Sequence, residues 1–532
     1  DWAWAMFDRT LCAHEHGDEK LALLTARQLA AAQPQIEAAC AQRGFKRQPY
    51  WDSNPSHRGQ AQPYLNFLGQ FPELLADLER RDQEGTHVST ISTGITNVPD
   101  QSKRITALIH DLDLVSARQW GQPGWVNPAG DEIVSALIHE GDAAVEPLLD
   151  CLEHDKRLTR SVGFGRDFFR NRAVISVSQT AKIALEAILH AGFSNAAEIR
   201  AYWDKYKNLK IEDRWYAILN DDSARARWQE AAACIVEPEN ITTYPGGFSR
   251  MKPVPTNAPV PLRGEILRSK TNPSITELLT RHALEVPTNN IGSYDLSASC
   301  TMAEYLARWD PAAALPLAKI LPKRAATLLK YSSQPALGVA VAKLAVVRAN
   351  NGDPQAFDEY AGWIAATSPG ELGYSKSALL DPLLKFYTNP VLEKAAMKMF
   401  ADTNSPWTNL PWENTYDLNP FNSEFVKTPA FQICLARELA KTNLCGQIWW
   451  DRNQKDWVNY SFTNESSGSI SYDFPEATKL SGNVTNELRQ CDWLVIRLSR
   501  NKIVPFFNPF WPLNRRDEVI KDIRNSFVKS GE

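Results

Sequence analysis

The pattern of apolar and polar residues is clearest between Asp131 and Leu152, where it predicts two short amphipathic helices joined by a turn. The apolar residues recur with helical spacing in both halves. They are Ile133, Val134, Leu137 and Ile138 in the first helix, and Val145, Leu148, Leu149 and Leu152 in the second. Gly141 can adopt the left-handed conformation that ends the first helix, and Asp142 can cap the second. Two helices of this length cannot bury both apolar faces alone, so the pattern predicts further helices stacked against them.

The same spacing predicts helices over most of the chain before residue 237. They cover about residues 18–40, 60–81, 102–118, 174–189, 213–219 and 224–235, with a further helix that carries Ile199, Trp203 and Tyr206. We expect Pro72 to break or kink the second of these helices. Helix pairs that recur at intervals of roughly 40–50 residues are typical of an α-solenoid.

A segment of different composition follows, from Glu237 to Arg263. Its six prolines and the pair Gly246-Gly247 exclude a continuous helix. We predict a linker here, or an extended strap across the face of a solenoid.

Helical spacing returns after this segment, and parts of the first helix pair recur. The stretch Pro147–Leu152 is matched by Pro316–Leu321 and partly by Pro382–Tyr387. The turn Gly141-Asp142 reappears as Gly352-Asp353. These similarities indicate a repeat whose spacing is irregular.

A family resemblance follows from these residues. Gly141–Leu152 resembles the inter-helix turn and second helix of a HEAT or HEAT-like repeat, and Ala181–Leu189 resembles the first helix of the next repeat. The resemblance covers about residues 131–235 and extends more weakly over 300–400. It implies an α-α solenoid that serves as a scaffold and binds partners, and it implies no reaction. The insertion from Arg157 to Arg172 departs from the repeat period.

The C-terminal part combines aromatic loops with a short β element. Asn404–Phe425 is rich in Asn, Pro and Trp and predicts a long loop, and alternating apolar residues on both sides of Asn464–Ser469 predict a small β-hairpin. We expect helices over Asn486–Arg500 and Lys521–Val528, with the aromatic segment Pro505–Pro512 packed against the last helices.

We therefore predict a mainly α-helical protein, a HEAT-like α-α solenoid with irregular aromatic-rich loops and a small β element near the C-terminus. Five regions are expected: an N-terminal helical region (1–125), HEAT-like repeats (126–236), the linker or strap (237–263), a second helical repeat region (264–445), and a C-terminal region with a β-hairpin and closing helices (446–532).

Composition narrows the class of protein. The net charge of −4 argues against a dedicated nucleic-acid binder, because such proteins usually carry a basic excess. The chain contains no apolar run of about 18 residues, so we predict no membrane-spanning helix. The chain begins with Asp1 rather than Met, and we interpret this as an N-terminus left by removal of a signal peptide. The expected location is periplasmic or extracellular.

Candidate metal ligands occur at three places. His14-Glu15-His16-Gly17-Asp18 is the densest group, but it is not an H-E-x-x-H motif and is interpreted as a solvated turn. His110-Asp111-Leu112-Asp113 and His139-Glu140 are interpreted as surface helix ends. We therefore predict no metal and no cofactor.

No motif for catalysis is present either. The sequence contains no P-loop and no G-x-S-x-G, and none of the eight cysteines forms C-x-x-C. If the protein is exported, Cys434 and Cys445 are the cysteines closest in sequence and could form a disulfide. We therefore predict no catalytic residues and no enzyme activity.

The leading hypothesis is a scaffold or subunit of an exported protein assembly, whose partners are other protein subunits. Seventeen tryptophans are a high count, and aromatic side chains anchor many interfaces. The predicted partner-binding residues are Trp407, Trp412, Trp449, Trp450, Trp457, Phe506, Phe510 and Trp511. The alternative is a secreted carbohydrate-binding or carbohydrate-cleaving α/α protein in which tryptophans stack on sugar rings.

Overall fold

The chain is described here from a computed structural model, which covers most of the sequence. The described residues are 2–42, 66–85, 87–117, 119–120, 125–164, 172–236, 265–285, 293–328, 334–366, 376–405, 424–450, 457–463, 467–471 and 484–531. The chain divides into two compact units, Asp1–Lys270 and Thr271–Glu532. The protein is mainly helical, with a small sheet near the C-terminus, as predicted. The predicted linker at 237–263 lies outside the described residues, as do residues 406–423 of the predicted loop.

The helices of the first unit follow one another along most of its length. They are α1 (Trp2–Glu15), α2 (Glu19–Gln42), α3 (Asn66–Glu84), α4 (Gln101–His110), α5 (Glu132–His139), α6 (Val145–His154), α7 (Val177–Leu189), α8 (Ala196–Tyr206), α9 (Ile211–Leu219) and α10 (Trp228–Val236). Pro72 lies inside α3 and does not end it, so of the predicted break or kink the break is wrong. Phe71, Leu74 and Leu78 of α3 are buried in one core with α1 and α2.

Two short antiparallel hairpins accompany these helices. They are β1 (Gln119–Trp120) with β2 (Trp125–Val126), and β3 (Leu158–Phe164) with β4 (Arg172–Ser176). The sequence pattern did not predict the second hairpin, because the polar residues Thr159 and Ser161 interrupt its apolar positions. Both residues are buried, and their hydroxyl groups donate hydrogen bonds to the carbonyl oxygens of Ile175 and Val115.

The helix pair predicted at 131–152 is present as α5 and α6. Its predicted apolar faces are buried, apart from Leu152, which is partly exposed. Gly141 has a φ of 63° and so adopts the left-handed conformation expected of it. The predicted cap is wrong, because a 3-10 turn precedes α6 and the Asp142 carboxylate instead accepts a hydrogen bond from Arg214 at 2.8 Å.

The second unit contains a helical part and a four-stranded sheet. Its helices are α11 (Ile275–Leu284), α12 (Ser293–Trp309), α13 (Pro311–Leu328), α14 (Gln334–Asn350), α15 (Asp358–Ala366), α16 (Lys376–Lys385), α17 (Pro390–Ala396), α18 (Pro429–Glu438), α19 (Gln490–Arg500) and α20 (Leu513–Gly531). The turn between α14 and α15 resembles the Gly141-Asp142 turn between α5 and α6. Gly352 has a φ of 76°, and Asp353 accepts a hydrogen bond from Arg348 at 2.8 Å.

The sheet is antiparallel throughout, in the order β7-β6-β5-β8. Its strands are β5 (Leu444–Trp450), β6 (Trp457–Phe462), β7 (Ser467–Ser471) and β8 (Val484–Arg489). The predicted β-hairpin corresponds to β6 and β7. The helix predicted from Asn486 begins only at Gln490, because Asn486 belongs to β8. Within the described residues, no helix has both the length and the apolar character needed to cross a membrane.

Candidate functional site

The sheet of the second unit has one buried face and one outward face, because successive side chains of a strand point to opposite sides. The buried face contains Ile448, Trp450, Val458, Tyr460, Ile470 and Leu488. The intervening positions form what we call the outward sheet face: Gln447, Trp449, Asn459, Ser461, Ser469, Thr485 and Glu487.

Trp449 lies near the centre of the outward sheet face. In the strand register it is opposite Asn459 of β6 on one side and opposite Thr485 of β8 on the other. Its side chain is partly buried, and it belongs neither to the hydrophobic core of the unit nor to the apolar residues packed against that core. A tryptophan flanked by amide and hydroxyl groups can contact an apolar part of a ligand while its neighbours bind polar groups.

The other predicted partner-binding residues have different surroundings. Trp450 is only 2% exposed and lies in the core, and Trp457 is opposite Ser471 in the backbone register of β6 and β7. Three aromatic residues of the predicted 505–512 segment pack against the core: Phe506, Phe510 and Trp511. The Arg515 guanidinium lies 3.9 Å from the centre of the Trp511 ring. Trp407 and Trp412 lie outside the described residues.

The histidines of the 14–18 segment do not share a site. His14 is buried, and its Nε2 lies 2.8 Å from the carbonyl oxygen of Thr159. Burial, with a contribution from the Arg81 charge, lowers the pKa of His14 to about 4. His16 is exposed, and its Nδ1 lies 2.8 Å from the carbonyl oxygen of Cys12. The predicted solvated turn therefore describes His16 but not His14.

The segment from His110 to Asp113 also differs from the prediction. The His110 side chain is 67% exposed, as expected at a surface helix end. Asp111 and Asp113, however, lie on a 3-10 helix, Asp111–Leu114, and are 0% and 2% exposed. His87, which lies 24 residues before Asp111, approaches both carboxylates. The sequence carries no signal for this contact, since His87 belongs to a Thr/Ser-rich loop without helical or strand spacing.

We call these four residues the His87 cluster: His87, His110, Asp111 and Asp113. His87 Nε2 is 3.0 Å from Asp111 Oδ1, and His87 Nδ1 is 3.2 Å from Asp113 Oδ1. His110 Nδ1 is 3.7 Å from Asp111 Oδ1. Potential ligand atoms of His87, His110 and Asp111 all lie within 4.8 Å of one another, so these three residues could hold a metal ion.

A network of buried charges lies behind the His87 cluster. Arg80 Nη2 is 3.1 Å from Asp113 Oδ2, and the Arg81 guanidinium donates hydrogen bonds to the carbonyl oxygens of Asp113 and Leu158. Asp77 accepts from both arginines. Burial raises the pKa of Asp77, but the charges and hydrogen bonds of Arg81 and Arg80 outweigh it and hold this pKa below its ordinary value. The network fixes the position of Asp113.

Cys434 and Cys445, the pair considered for a disulfide, are both present as thiols and are not joined in a disulfide. Burial raises the pKa of each to about 12. A buried thiol with a raised pKa carries little thiolate and reacts slowly.

Comparisons with known proteins give no family for this chain. No protein-family model, no curated protein and no solved structure matches it.

Proposed function

We propose that the protein is a non-enzymatic scaffold or subunit of an exported assembly, which binds a partner protein through the outward sheet face around Trp449. One observation carries this proposal. Among the predicted partner-binding residues whose side chains are described, Trp449 is the one that lies outside both the core and its packed margin. A tryptophan on an accessible face is typical of the aromatic anchors that dominate binding energy at interfaces.

The helical parts would contribute a second surface, arranged as a HEAT-like solenoid. Two turns support this part of the proposal, since each has a left-handed glycine followed by an aspartate bound to an arginine: Gly141-Asp142 with Arg214, and Gly352-Asp353 with Arg348. The arginine differs in origin, since Arg214 belongs to α9 and is 72 residues from Asp142, whereas Arg348 belongs to α14 and is five residues from Asp353. The recurrence of the glycine and the aspartate at both turns is what a repeat would produce. An experimental structure in which successive helix pairs do not stack in one direction would contradict the solenoid.

Native mass measurement of the protein purified from its source under mild conditions tests the proposal. The wild type should co-purify in a fixed ratio with a partner, and Trp449→Ala should lose that partner while retaining its helical circular dichroism. Val528→Ala is the control, because Val528 is an exposed apolar residue of α20 and lies outside the outward sheet face. A wild-type protein that is monomeric and carries no partner would refute the proposal.

A carbohydrate ligand is the second candidate, and the polar surroundings of Trp449 favour it. Asn459 and Ser469 are hydrogen-bonded to each other on this face, and Gln447, Thr485 and Glu487 are exposed beside the tryptophan. A glycan array decides between the two candidates. Binding to a defined glycan that is lost in Trp449→Ala and retained in Val528→Ala would favour carbohydrate. The exported location stays a prediction, which fractionation of the source cells tests.

A further inference from the structure

The His87 cluster of the first unit has the geometry of a metal site. We propose that His87, His110 and Asp111 bind one divalent first-row transition-metal ion of the Zn²⁺ type. Zinc–nitrogen and zinc–oxygen bonds of about 2.0–2.2 Å place the ligand atoms of a tetrahedral site about 3.3–3.6 Å apart. The distances from Asp111 Oδ1 to His87 Nε2 and to His110 Nδ1 are 3.0 and 3.7 Å, on either side of this range. The potential ligand atoms of all three residues lie within 4.8 Å of one another, so a closing movement of the exposed His110 ring would bring them around one ion.

The orientation of Asp111 is already fixed for this role. Its Oδ2 accepts hydrogen bonds from the Thr90 backbone N–H, the Thr90 hydroxyl at 2.7 Å and the Ser89 hydroxyl at 3.3 Å. These donors hold one oxygen of the carboxylate and leave Oδ1 facing both imidazole rings. Outer hydrogen bonds of this kind orient the carboxylate ligands of metal sites.

Asp113 would orient His87 in a similar way. A histidine that binds a metal through one ring nitrogen usually donates its other N–H to a carboxylate or carbonyl oxygen. With Nε2 on the ion, the His87 proton resides on Nδ1, which lies 3.2 Å from Asp113 Oδ1. That oxygen is buried and accepts no hydrogen bond from the described residues. The Arg157 Nη1 atom is 3.9 Å from the same oxygen, too far for a hydrogen bond. A small rotation of the His87 ring would therefore give this buried oxygen a hydrogen bond.

The charges around Asp111 also favour a cation. The cationic groups within ion-pair distance of Asp111 in the described part of the chain are His87 and His110, which are charged only when protonated. The arginines nearby face other groups, since Arg80 and Arg81 contact Asp113. Arg157 pairs with Asp155 and donates a hydrogen bond to the carbonyl oxygen of His110. A buried carboxylate is costly without a compensating charge. A divalent ion would supply that charge when both imidazoles are neutral.

The site would keep an open position. The His110 side chain is 67% exposed, so the ion would lie at the surface with three protein ligands and a water molecule. Nitrogen and carboxylate ligands suit zinc and its neighbours better than calcium or magnesium, which prefer oxygen alone. The ion would also join the loop that carries His87 to the end of α4.

The test is a titration of the chelator-treated full chain with Zn²⁺ by calorimetry and with Co²⁺ by visible absorption. We expect one ion per chain, intense d–d bands for Co²⁺, and a melting temperature that rises with Zn²⁺. In His110→Ala, the affinity for Zn²⁺ should fall at least 10–100-fold, because replacing a residue that only hydrogen-bonds to a metal ligand already costs roughly this much. This variant should fold, because the side chain that it removes is exposed.

The matched control is His154→Ala. His154 is also an exposed histidine at the end of a helix, with its Nδ1 3.3 Å from the carboxylate of Asp150. This variant should bind Zn²⁺ and Co²⁺ like the wild type. The proposal is overturned if the wild type binds no stoichiometric ion, or if His110→Ala binds as tightly as His154→Ala. In either case the His87 cluster is an ion-pair cluster that only holds the loop.

Discussion

Replacing Gly338 with alanine should destabilise the second unit, although alanine is the better helix former. Gly338 lies in α14, beneath the ring of Trp363 from α15. A Cβ atom at Gly338 would lie 1.8, 2.2 and 2.5 Å from the Cη2, Cζ2 and Cζ3 atoms of that ring. Real carbon contacts of this kind are longer than 3 Å, so the ring or the helix must move. Trp363 packs against the hydrophobic core, which opposes the movement.

Two effects of opposite sign decide the result. Alanine in place of glycine inside a helix stabilises by about 1 kcal/mol. Inserting a methyl group into a packed interface costs about 1–3 kcal/mol. Since three ring atoms are overlapped at once, the packing cost should exceed the helix gain. We expect a net loss on the order of 1 kcal/mol in the free energy of unfolding.

Gly362 provides the matched control. It lies in α15, one residue before Trp363, is exposed, and has nothing within 4 Å of the place where a Cβ would be. Gly362→Ala should therefore show the helix gain alone, about 0.5–1 kcal/mol of added stability. The two glycine-to-alanine changes should differ in sign.

Urea unfolding followed by far-ultraviolet circular dichroism measures both changes. A double-variant cycle identifies the cause, because Trp363→Leu removes the overlapping ring atoms. Gly338→Ala should cost less on that background than in the wild type. The reasoning is wrong if Gly338→Ala raises the midpoint as much as Gly362→Ala does, since the Trp363 ring would then not lie over Gly338.

Three further predictions concern single groups. Folding lowers the pKa of His14 from 6.5 to about 4, so between these pH values His14 is protonated in the unfolded chain but not in the folded one. The free energy of unfolding should therefore fall by about 3 kcal/mol as the pH drops from about 6.5 to 4. His14→Leu should lack this part of the pH dependence in urea unfolding. Asp142→Ala should lower stability by about 1.5–3 kcal/mol in the same assay, because it leaves the fully buried Arg214 side chain without its carboxylate partner. Asp150 is exposed, and Asp150→Ala should change stability by less than about 0.5 kcal/mol. Among the thiols whose side chains are described in the native protein, a reagent at pH 8 should modify the exposed Cys12 first, and equal rates at these thiols would contradict the burial. Burial raises the pKa of the protected thiols to about 11 or 12: Cys151, Cys300, Cys434, Cys445 and Cys491.

The helices were predictable because their determinants are local. The apolar spacing of α5 and α6 and the left-handed Gly141 can be recognised within about twenty residues of sequence. The hairpin β3–β4 was not predictable in this way. Thr159 and Ser161 are polar, and they are buried only because carbonyl oxygens 16 and 46 residues away accept their hydroxyl protons. Long-range hydrogen bonds of this kind leave no periodic pattern.

The two candidate sites could not be predicted from local sequence patterns either. Adjacent residues of a strand face opposite sides, so one of Trp449 and Trp450 had to point inwards. The sequence could not say which, because β5 was not recognised as a strand. His87 and Asp111 are close only in space, and neither residue type nor spacing linked the loop to the helix end. Both sites became visible once backbone geometry was known.

The buried charged residues of the first unit are better explained by their role in holding neighbouring side chains in place than by a gain in stability. Replacing buried ion pairs with apolar residues is often neutral or stabilising, so stability alone does not account for the network formed by Asp77, Arg80, Arg81 and Asp113. Arg81 joins three elements, since it bonds to Asp77 of α3, to the Asp113 carbonyl after α4 and to the Leu158 carbonyl of β3. The Asp113 carboxylate is thereby held against Arg80 on one oxygen and faces His87 with the other. A carboxylate fixed in this way offers the His87 ring an acceptor at a defined position, which a histidine ligand requires and a solvent-exposed loop could not provide by itself.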